Sequence, residues 1–254
     1  FLSNFDEVRR GLLLEKVEMC DCLQDFKASP TADYDMLATR DLAKSIKEYK
    51  SFFDDKERTV MWDATQRSNK WELIGKKGNH IFMKRHAVQM AELDWLFNLT
   101  GRTFSNPVGP EPSSHDGLFY FVDLCAGPGC FTEYIYWRRQ KAARGWGFTL
   151  KGEQDFRIDK FNATSPAHKF RPCYGDPKEG STGDITSNAN IRHFAGVVES
   201  DTQGRGVALV AADGDADESG EYLKQEWNMR RLVLCQAAAA LLVLREGGNF
   251  VLKI

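Results

Sequence analysis

The chain has 254 residues, of which 42% are hydrophobic and 28% are charged, and its formal net charge at pH 7 is −2. This balance is typical of a globular protein with a sizeable core, and no apolar stretch reaches the length of a membrane span. It excludes a basic surface over the whole molecule, so any nucleic-acid site must be a local patch. Because the chain starts at Phe1 and stops inside a predicted strand, we expect it to be part of a longer protein.

Helical patterns dominate the first hundred residues. Apolar residues recur at three- and four-residue steps, which predicts helices at residues 35–53, 57–71 and 84–99. Basic residues cluster before and at the start of the third helix, either as a solvated face or as a path for an RNA backbone: Lys70, Lys76, Lys77, Lys84 and Arg85. Residues 101–117 are rich in Gly, Pro, Ser and Asn, which predicts a loop.

The second part of the chain, residues 118–254, opens with a strand, a tight glycine loop and a helix. An apolar run at 119–124 is rich in β formers, and after the loop Phe131 and Tyr134 begin an apolar pattern at helical spacing. This order is the opening of a Rossmann-type unit. The glycines allow a ligand to approach the backbone closely, and the helix start offers unpaired N–H groups.

Strands and helices then alternate to the end of the chain. The patterns predict strands and helices in turn at residues 145–150, 191–200, 207–212, 223–245 and 250–252, with 156–174 irregular. The alternation predicts an α/β fold with a Rossmann-like, doubly wound, mostly parallel sheet whose last strands are missing from this chain. Ligands in such sheets bind outside the carboxyl ends of the strands, where Asp123, Asp213 and Lys253 fall.

The spacing of the glycines bears on the ligand. A dinucleotide fingerprint needs a third glycine three residues after Gly129, and that position is Thr132. An acidic residue followed by a Gly-x-Gly turn suits S-adenosylmethionine better, because its ammonium needs an acceptor and its carboxylate needs free N–H groups. A dehydrogenase is therefore the less favoured interpretation.

The string Asp-x-Cys-Ala-Gly-Pro-Gly-x-Phe, from Asp123 to Phe131, resembles the FtsJ-like RNA 2′-O-methyltransferases, and among them the enzymes that make cap 1 on mRNA. The resemblance extends from about Lys50 to Lys253. It implies a class I methyltransferase fold, S-adenosylmethionine as cofactor and the capped 5′ end of an RNA as substrate. It also implies a nuclear or cytoplasmic location, with an organelle as an alternative, membership of a larger protein complex as an option, and no membrane partner.

The resemblance also implies roles for particular residues. Lys253 would be the base and Asp213 its orienting partner, with Gln89 at the position of the family's first catalytic lysine, on the helix that closes a helical extension at 1–100. The RNA cap would contact Lys50, Ser51, Phe52, Phe53 and Asp54. The cofactor would contact Lys84, Asp123, Cys125, Ala126, Gly127, Pro128, Gly129, Cys130, Phe131, Asp184 and Ile185.

Two departures from the family pattern leave a second hypothesis open. Gln89 replaces a cation, and Cys130 replaces a glycine of the cofactor loop. The chain is therefore either an active RNA 2′-O-methyltransferase or an inactive pseudo-methyltransferase that serves as a structural or RNA-binding subunit. Cys20 and Cys22 have no second pair and no nearby His, so we expect reduced thiols and no metal site.

Overall fold

The computed structural model describes residues 39–53, 56–69, 71, 81–101, 116–153, 155–161, 167–215 and 225–254. The expectations for residues 1–38, for most of the loop at 101–117, and for Asp54, Lys70, Lys76 and Lys77 lie outside these residues. The elements in chain order are α1 (Arg40–Ser51), α2 (Arg58–Ser68), α3 (Arg85–Phe97), β1 (Phe119–Leu124), α4 (Cys130–Arg139), β2 (Ala143–Phe148), β3 (Phe170–Cys173), α5 (Asn188–Thr202), β4 (Val207–Ala212), α6 (Gln225–Val243) and β5 (Leu244–Leu252).

A five-stranded sheet in the order β3-β2-β1-β4-β5 forms the centre of the structure, and its neighbouring strands are all parallel. This confirms the predicted Rossmann-like α/β fold. The chain runs outward from β1 through β2 to β3, and then crosses to β4 on the other side of β1. The strand order therefore reverses between β1 and β4, which is where open α/β sheets bind ligands.

Strand β1 lies in the middle of the sheet, and all of its residues except Asp123 are apolar. All six of its residues are buried. Tyr120, Val122 and Leu124 pack with α5 and α6 on one face, whereas Phe119 and Phe121 pack with α3 and α4 on the other. Since successive side chains of a strand point to opposite faces, this one segment contributes to both halves of the core.

Two sequence predictions were wrong about the strands. Residues 156–174 are not wholly irregular, because β3 lies within them at the edge of the sheet. Pro172 hides this strand from a sequence pattern, since proline cannot donate to a ladder and is accepted only at edges. Strand β5 also begins at Leu244, within the segment predicted as helix, and pairs with β4 through a register shift.

Helix α3 is fixed to α4 by buried polar contacts. The Asp94 carboxylate accepts hydrogen bonds from the Thr100 N–H at 2.7 Å, the Thr100 hydroxyl at 2.8 Å and the Tyr134 hydroxyl at 2.8 Å. Just before α3, the Met83 N–H donates to Glu133 Oε2 at 2.8 Å. These contacts hold the start of α3 against the helix that follows the glycine loop, and so determine which residues of α3 reach the strand ends.

Helices α1 and α2 match the predicted N-terminal helices and contain no buried residue. None of the helices among the described residues has an apolar stretch of membrane-spanning length.

Candidate active site

A cavity of about 250 Å³ lies at the carboxyl ends of β1, β4 and β5. The start of α3 closes it from the side. Its lining includes most of the glycine loop together with the residues that follow β4 and β5: Lys84, His86, Cys125, Ala126, Gly127, Pro128, Cys130, Phe131, Asp213, Asp215 and Lys253. The strand ends that the sequence predicted to converge therefore border one cavity.

The glycine loop turns β1 sharply into α4. Gly129 is the N-cap of α4 and has a φ of 104°, and a side chain there would place its Cβ 2.7 Å from the Phe161 ring. The position therefore requires glycine both for its backbone angle and for space. The loop is tied to β2, because the Gly127 N–H donates to Thr149 Oγ1 at 3.2 Å. Cys130 and Phe131, in the first turn of α4, line the cavity, and N–H groups in a first turn have no partner within their helix.

Asp123 lies beneath the loop and is fully buried. Its Oδ2 accepts hydrogen bonds from the Thr132 N–H at 2.9 Å and the Thr132 hydroxyl at 2.7 Å. Its Oδ1 is also buried, and no described residue donates to it. Burial raises the pKa of this carboxyl to about 8, because the hydrogen bonds from Thr132 offset only part of the desolvation. Asp123 thus does not line the cavity itself, but it offers an unsatisfied oxygen next to it.

Asp213 and Lys253 form an ion pair at the ends of two neighbouring strands. Lys253 Nζ lies 2.5 Å from Asp213 Oδ1 and 4.0 Å from Asp215 Oδ2. The Asp213 side chain is 14% exposed and that of Lys253 is 47% exposed, so the amine reaches the open side of the cavity.

The backbone around this pair is held by the sheet. The Asp213 N–H donates to Leu124 O at 3.4 Å, and the Lys253 N–H donates to Ala212 O at 3.0 Å. After Asp213, the Gly214 N–H donates to the buried Gln236 Oε1 at 2.9 Å. The pairing of β1, β4 and β5 therefore sets the positions of both charged residues.

His86 lines the cavity, although the sequence analysis did not single it out. Gln89, which aligns with the family's first lysine, is half-buried and is not among the lining residues. The two residues are three apart on α3 and lie on nearby faces one turn from each other. The signal that could have identified His86 was its place directly after Lys84 and Arg85, on the same helix as Gln89.

The two cysteines in the lining are neutral thiols. Burial raises the pKa of Cys125 and of Cys130 to about 12 in each case. Because the thiolate is the reactive form, neither residue is suited to act as a nucleophile at neutral pH. Cys130 instead occupies space where the family pattern has a glycine. No group of three or more His, Cys, Asp or Glu residues within the described ranges could hold a metal ion.

Asp184 and Ile185 lie outside the cavity lining. The exposed Asp184 closes a turn, because its Oδ1 accepts from the Thr186 N–H and from the Thr186 hydroxyl, both at 2.8 Å. Ile185 is buried in the core between the sheet and α5. The carboxylate of Asp184 is nevertheless near enough to Cys125 to contribute to its raised pKa. The turn therefore lies beside the glycine loop.

The predicted cap-binding residues that the structure describes lie at the end of α1. Lys50 is in its last turn and Ser51 is its last residue, and the side chains of Phe52 and Phe53 are 59% and 44% exposed. Exposed aromatic rings next to a lysine suit a flat, charged ligand.

The cavity fits the methionine end of S-adenosylmethionine. The orphan Oδ1 of Asp123 is an acceptor for an ammonium group, and the first turn of α4 is suited to a carboxylate. The volume of about 250 Å³ is below the range of about 300–1,000 Å³ that is typical of ligand pockets, so the cavity accounts for part of this cofactor. When bound, this cofactor supplies a methyl group on a sulfonium.

Comparison with known proteins is consistent with this geometry. Curated relatives include the cap-specific mRNA (nucleoside-2′-O-)-methyltransferase 1 of Mus musculus and of Homo sapiens, both 38% identical over 218 residues, and that of Dictyostelium discoideum, 35% identical over 228 residues. These alignments cover 84% of this chain, but only 25%, 25% and 29% of the relatives. The chain thus spans about a quarter of the length of the curated relatives it matches.

A solved Plasmodium falciparum structure described as a ribosomal RNA methyltransferase superposes with a TM-score of 0.43 at 13% identity, covering 68% of this chain and 78% of that one. A superposition this loose supports no conclusion. The profile of the FtsJ-like methyltransferases, in contrast, matches residues 82–254, which include all five described strands and every residue that lines the cavity. The chain therefore belongs to the FtsJ-like methyltransferase family.

Proposed function

We propose that this chain transfers a methyl group from S-adenosylmethionine to a ribose 2′-hydroxyl of a capped RNA. The observation that carries the proposal is the Asp213–Lys253 ion pair, which borders the same cavity as the glycine loop. A methyltransferase acting on a hydroxyl needs the methyl donor and a polar group that engages the hydroxyl within one enclosed site. The cap-specific relatives give the substrate class.

Each group of residues has its own role in this proposal. Asp123 and the first turn of α4 would hold the methionine end of the cofactor, with the turn at Asp184 and Ile185 toward its adenosine. Lys253 would meet the ribose hydroxyl, and Asp213 would keep the amine in place. Lys50 and the exposed rings of Phe52 and Phe53 would bind the cap. Asp54 and Lys84 complete the proposed binding set, and the activity would take place where capped RNA is found, in the nucleus or the cytoplasm.

The test is methyl transfer to a capped transcript, with the same transcript bearing a 5′-triphosphate as the comparison substrate. We expect a 2′-O-methyl group on the first nucleotide of the capped RNA, detected as a nuclease-resistant dinucleotide by mass spectrometry. Lys253→Met should lower the rate by about 10²-fold or more, because a positioned polar group at the reacting atom typically contributes that much.

Lys141→Met is the matched control. Lys141 is exposed and lies just before β2, at the opposite edge of the sheet from the cavity. It should leave the rate unchanged, and circular dichroism would show whether both variants are folded. A folded wild-type protein that transfers no methyl group to either RNA would refute the proposal and favour the pseudo-methyltransferase hypothesis. Equal rates for Lys253→Met and Lys141→Met would refute the role of the ion pair.

A further inference from the structure

His86 lines the same cavity as the Asp213–Lys253 pair. It lies in the first turn of α3, the helix whose start closes one side of the cavity. Several charged and titratable groups surround it. They are Arg85 and Lys84 on its own segment, Asp213 and Asp215 after β4, Lys253 after β5, Cys125 in the glycine loop and Cys130 at the start of α4.

The chemistry of the ion pair leaves one task unassigned. A ribose hydroxyl that attacks a methyl group must lose its proton to an acceptor. Lys253 could take this proton only as a neutral amine, whereas its ion pair with Asp213 favours the ammonium. An ammonium has three donors and no acceptor, so in that form Lys253 holds the hydroxyl oxygen but leaves its proton to another group. A neutral imidazole has one nitrogen that is free to accept.

His86 is kept neutral by its surroundings. Desolvation lowers its pKa from the ordinary value, and Arg85, Lys253 and Lys84 lower it further, against the opposing effect of Asp213. The position in the first turn of α3 acts in the same direction, because the amino end of a helix carries partial positive charge. The imidazole is therefore in its accepting form at pH 7.

We propose that His86 accepts the proton of the ribose hydroxyl during methyl transfer, while the Asp213–Lys253 pair holds the hydroxyl oxygen. This inference rests on the proposed function and moves the role of the base from Lys253 to His86. In the step, the O–H bond of the ribose breaks and its proton goes to an imidazole nitrogen. The oxygen forms its bond to the methyl carbon as the sulfur–carbon bond of the donor breaks, and the imidazolium later releases the proton to water.

The first measurement follows the titration of His86 by NMR and does not depend on activity. The chain has five histidines, and the signal that disappears in His86→Ala assigns the residue. If His86 faces the ion pair, its pKa should rise in Lys253→Met and fall in Asp213→Asn, each by about one unit, because a charge is removed close to the ring. Lys141→Met should leave it unchanged. An unchanged His86 titration in both cavity variants would overturn the inference.

The second measurement is the pH profile of single-turnover methylation of capped RNA. The wild-type rate should fall at acidic pH as His86 becomes protonated. His86→Ala and His86→Gln should each be slower at pH 7 by about 10²-fold and should lose this acidic limb, because the group that causes it is absent. Free imidazole should restore part of the rate of His86→Ala. His168→Ala, which changes an exposed histidine next to β3, should behave as the wild type.

The outcomes separate this inference from the proposed function. A wild type that methylates capped RNA, together with a His86→Ala variant of the same profile, would overturn the role of His86 and leave the function standing. A folded wild type that transfers no methyl group at any pH would overturn both. In that case, a His86 signal that still responds to Lys253→Met would show that His86 lies close to Lys253 although the protein does not transfer a methyl group.

Discussion

Binding of S-adenosylmethionine should release a proton from Asp123. Burial raises the pKa of this carboxyl to about 8, so most of the molecules hold the proton at pH 7. An ammonium group at the orphan Oδ1 would stabilise the carboxylate and expel the proton. We therefore expect the wild type to release roughly 0.5 to 1 proton more per bound cofactor than Asp123→Asn, which keeps an oxygen for Thr132 but has no proton to lose.

Titration calorimetry in buffers with different ionisation enthalpies measures this number directly. The slope of the observed binding enthalpy against the buffer enthalpy gives the protons released. The control ligand is 5′-methylthioadenosine, which lacks the amino-acid end and should release no such proton. If the wild type and Asp123→Asn release the same number of protons on binding S-adenosylmethionine, the cofactor ammonium does not approach Asp123, and the assignment of the methionine end is wrong.

Two further predictions concern stability. Gly183→Ala should lower the free energy of unfolding by about 3 kcal/mol or more, because Gly183 has a φ of 81° and an added Cβ would overlap the Thr149 carbonyl oxygen. Gly152→Ala is the control: Gly152 has a φ of 97° but open space around it, so this variant should lose only about 1–2 kcal/mol. Asp201→Ala should cost about 2 kcal/mol in chemical denaturation and more than Asp201→Asn, because it leaves the buried Trp146 indole N–H, now bonded at 2.8 Å, without an acceptor. Burial raises the pKa of Asp201, but the hydrogen bonds and neighbouring guanidinium groups lower it more, so this stabilisation should be present near neutral pH and lost as the pH falls through the lowered pKa. Equal losses within either pair of variants would contradict the contact assigned to that site.

The β1-loop-α4 unit could be read from local sequence. An apolar run, two glycines around a proline and a helical pattern gave the turn and its exposed helix start, and the structure agrees. The alternation of later elements predicted the parallel sheet and placed Asp123, Asp213 and Lys253 at one edge of it. These predictions succeed because chain periodicity and turn chemistry are local properties of the residues themselves.

Other features depend on partners that are distant in the chain. Strand β3 was not predicted because it contains Pro172, which argues locally against a strand. Proline is accepted there because β3 lies at the edge of the sheet, and that position depends on the topology of the whole sheet. The start of β5 was not predicted because Gly247 and Gly248 are typical of a helix end. In the structure, pairing with β4 extends the strand through them.

Which residues line the cavity likewise depends on the tertiary structure. From sequence, Gln89 was the expected cavity residue of α3, whereas the structure places His86 there. Helical periodicity defines a face, but the angle at which the helix meets the strand ends selects the residue, and here that angle follows from the contacts of Asp94 and Glu133 with their neighbours. The local sequence thus predicts the fold class and the edge of the sheet that borders the cavity. Only long-range packing decided which titratable side chains share the cavity, because their approach depends on elements that meet in space and not along the chain.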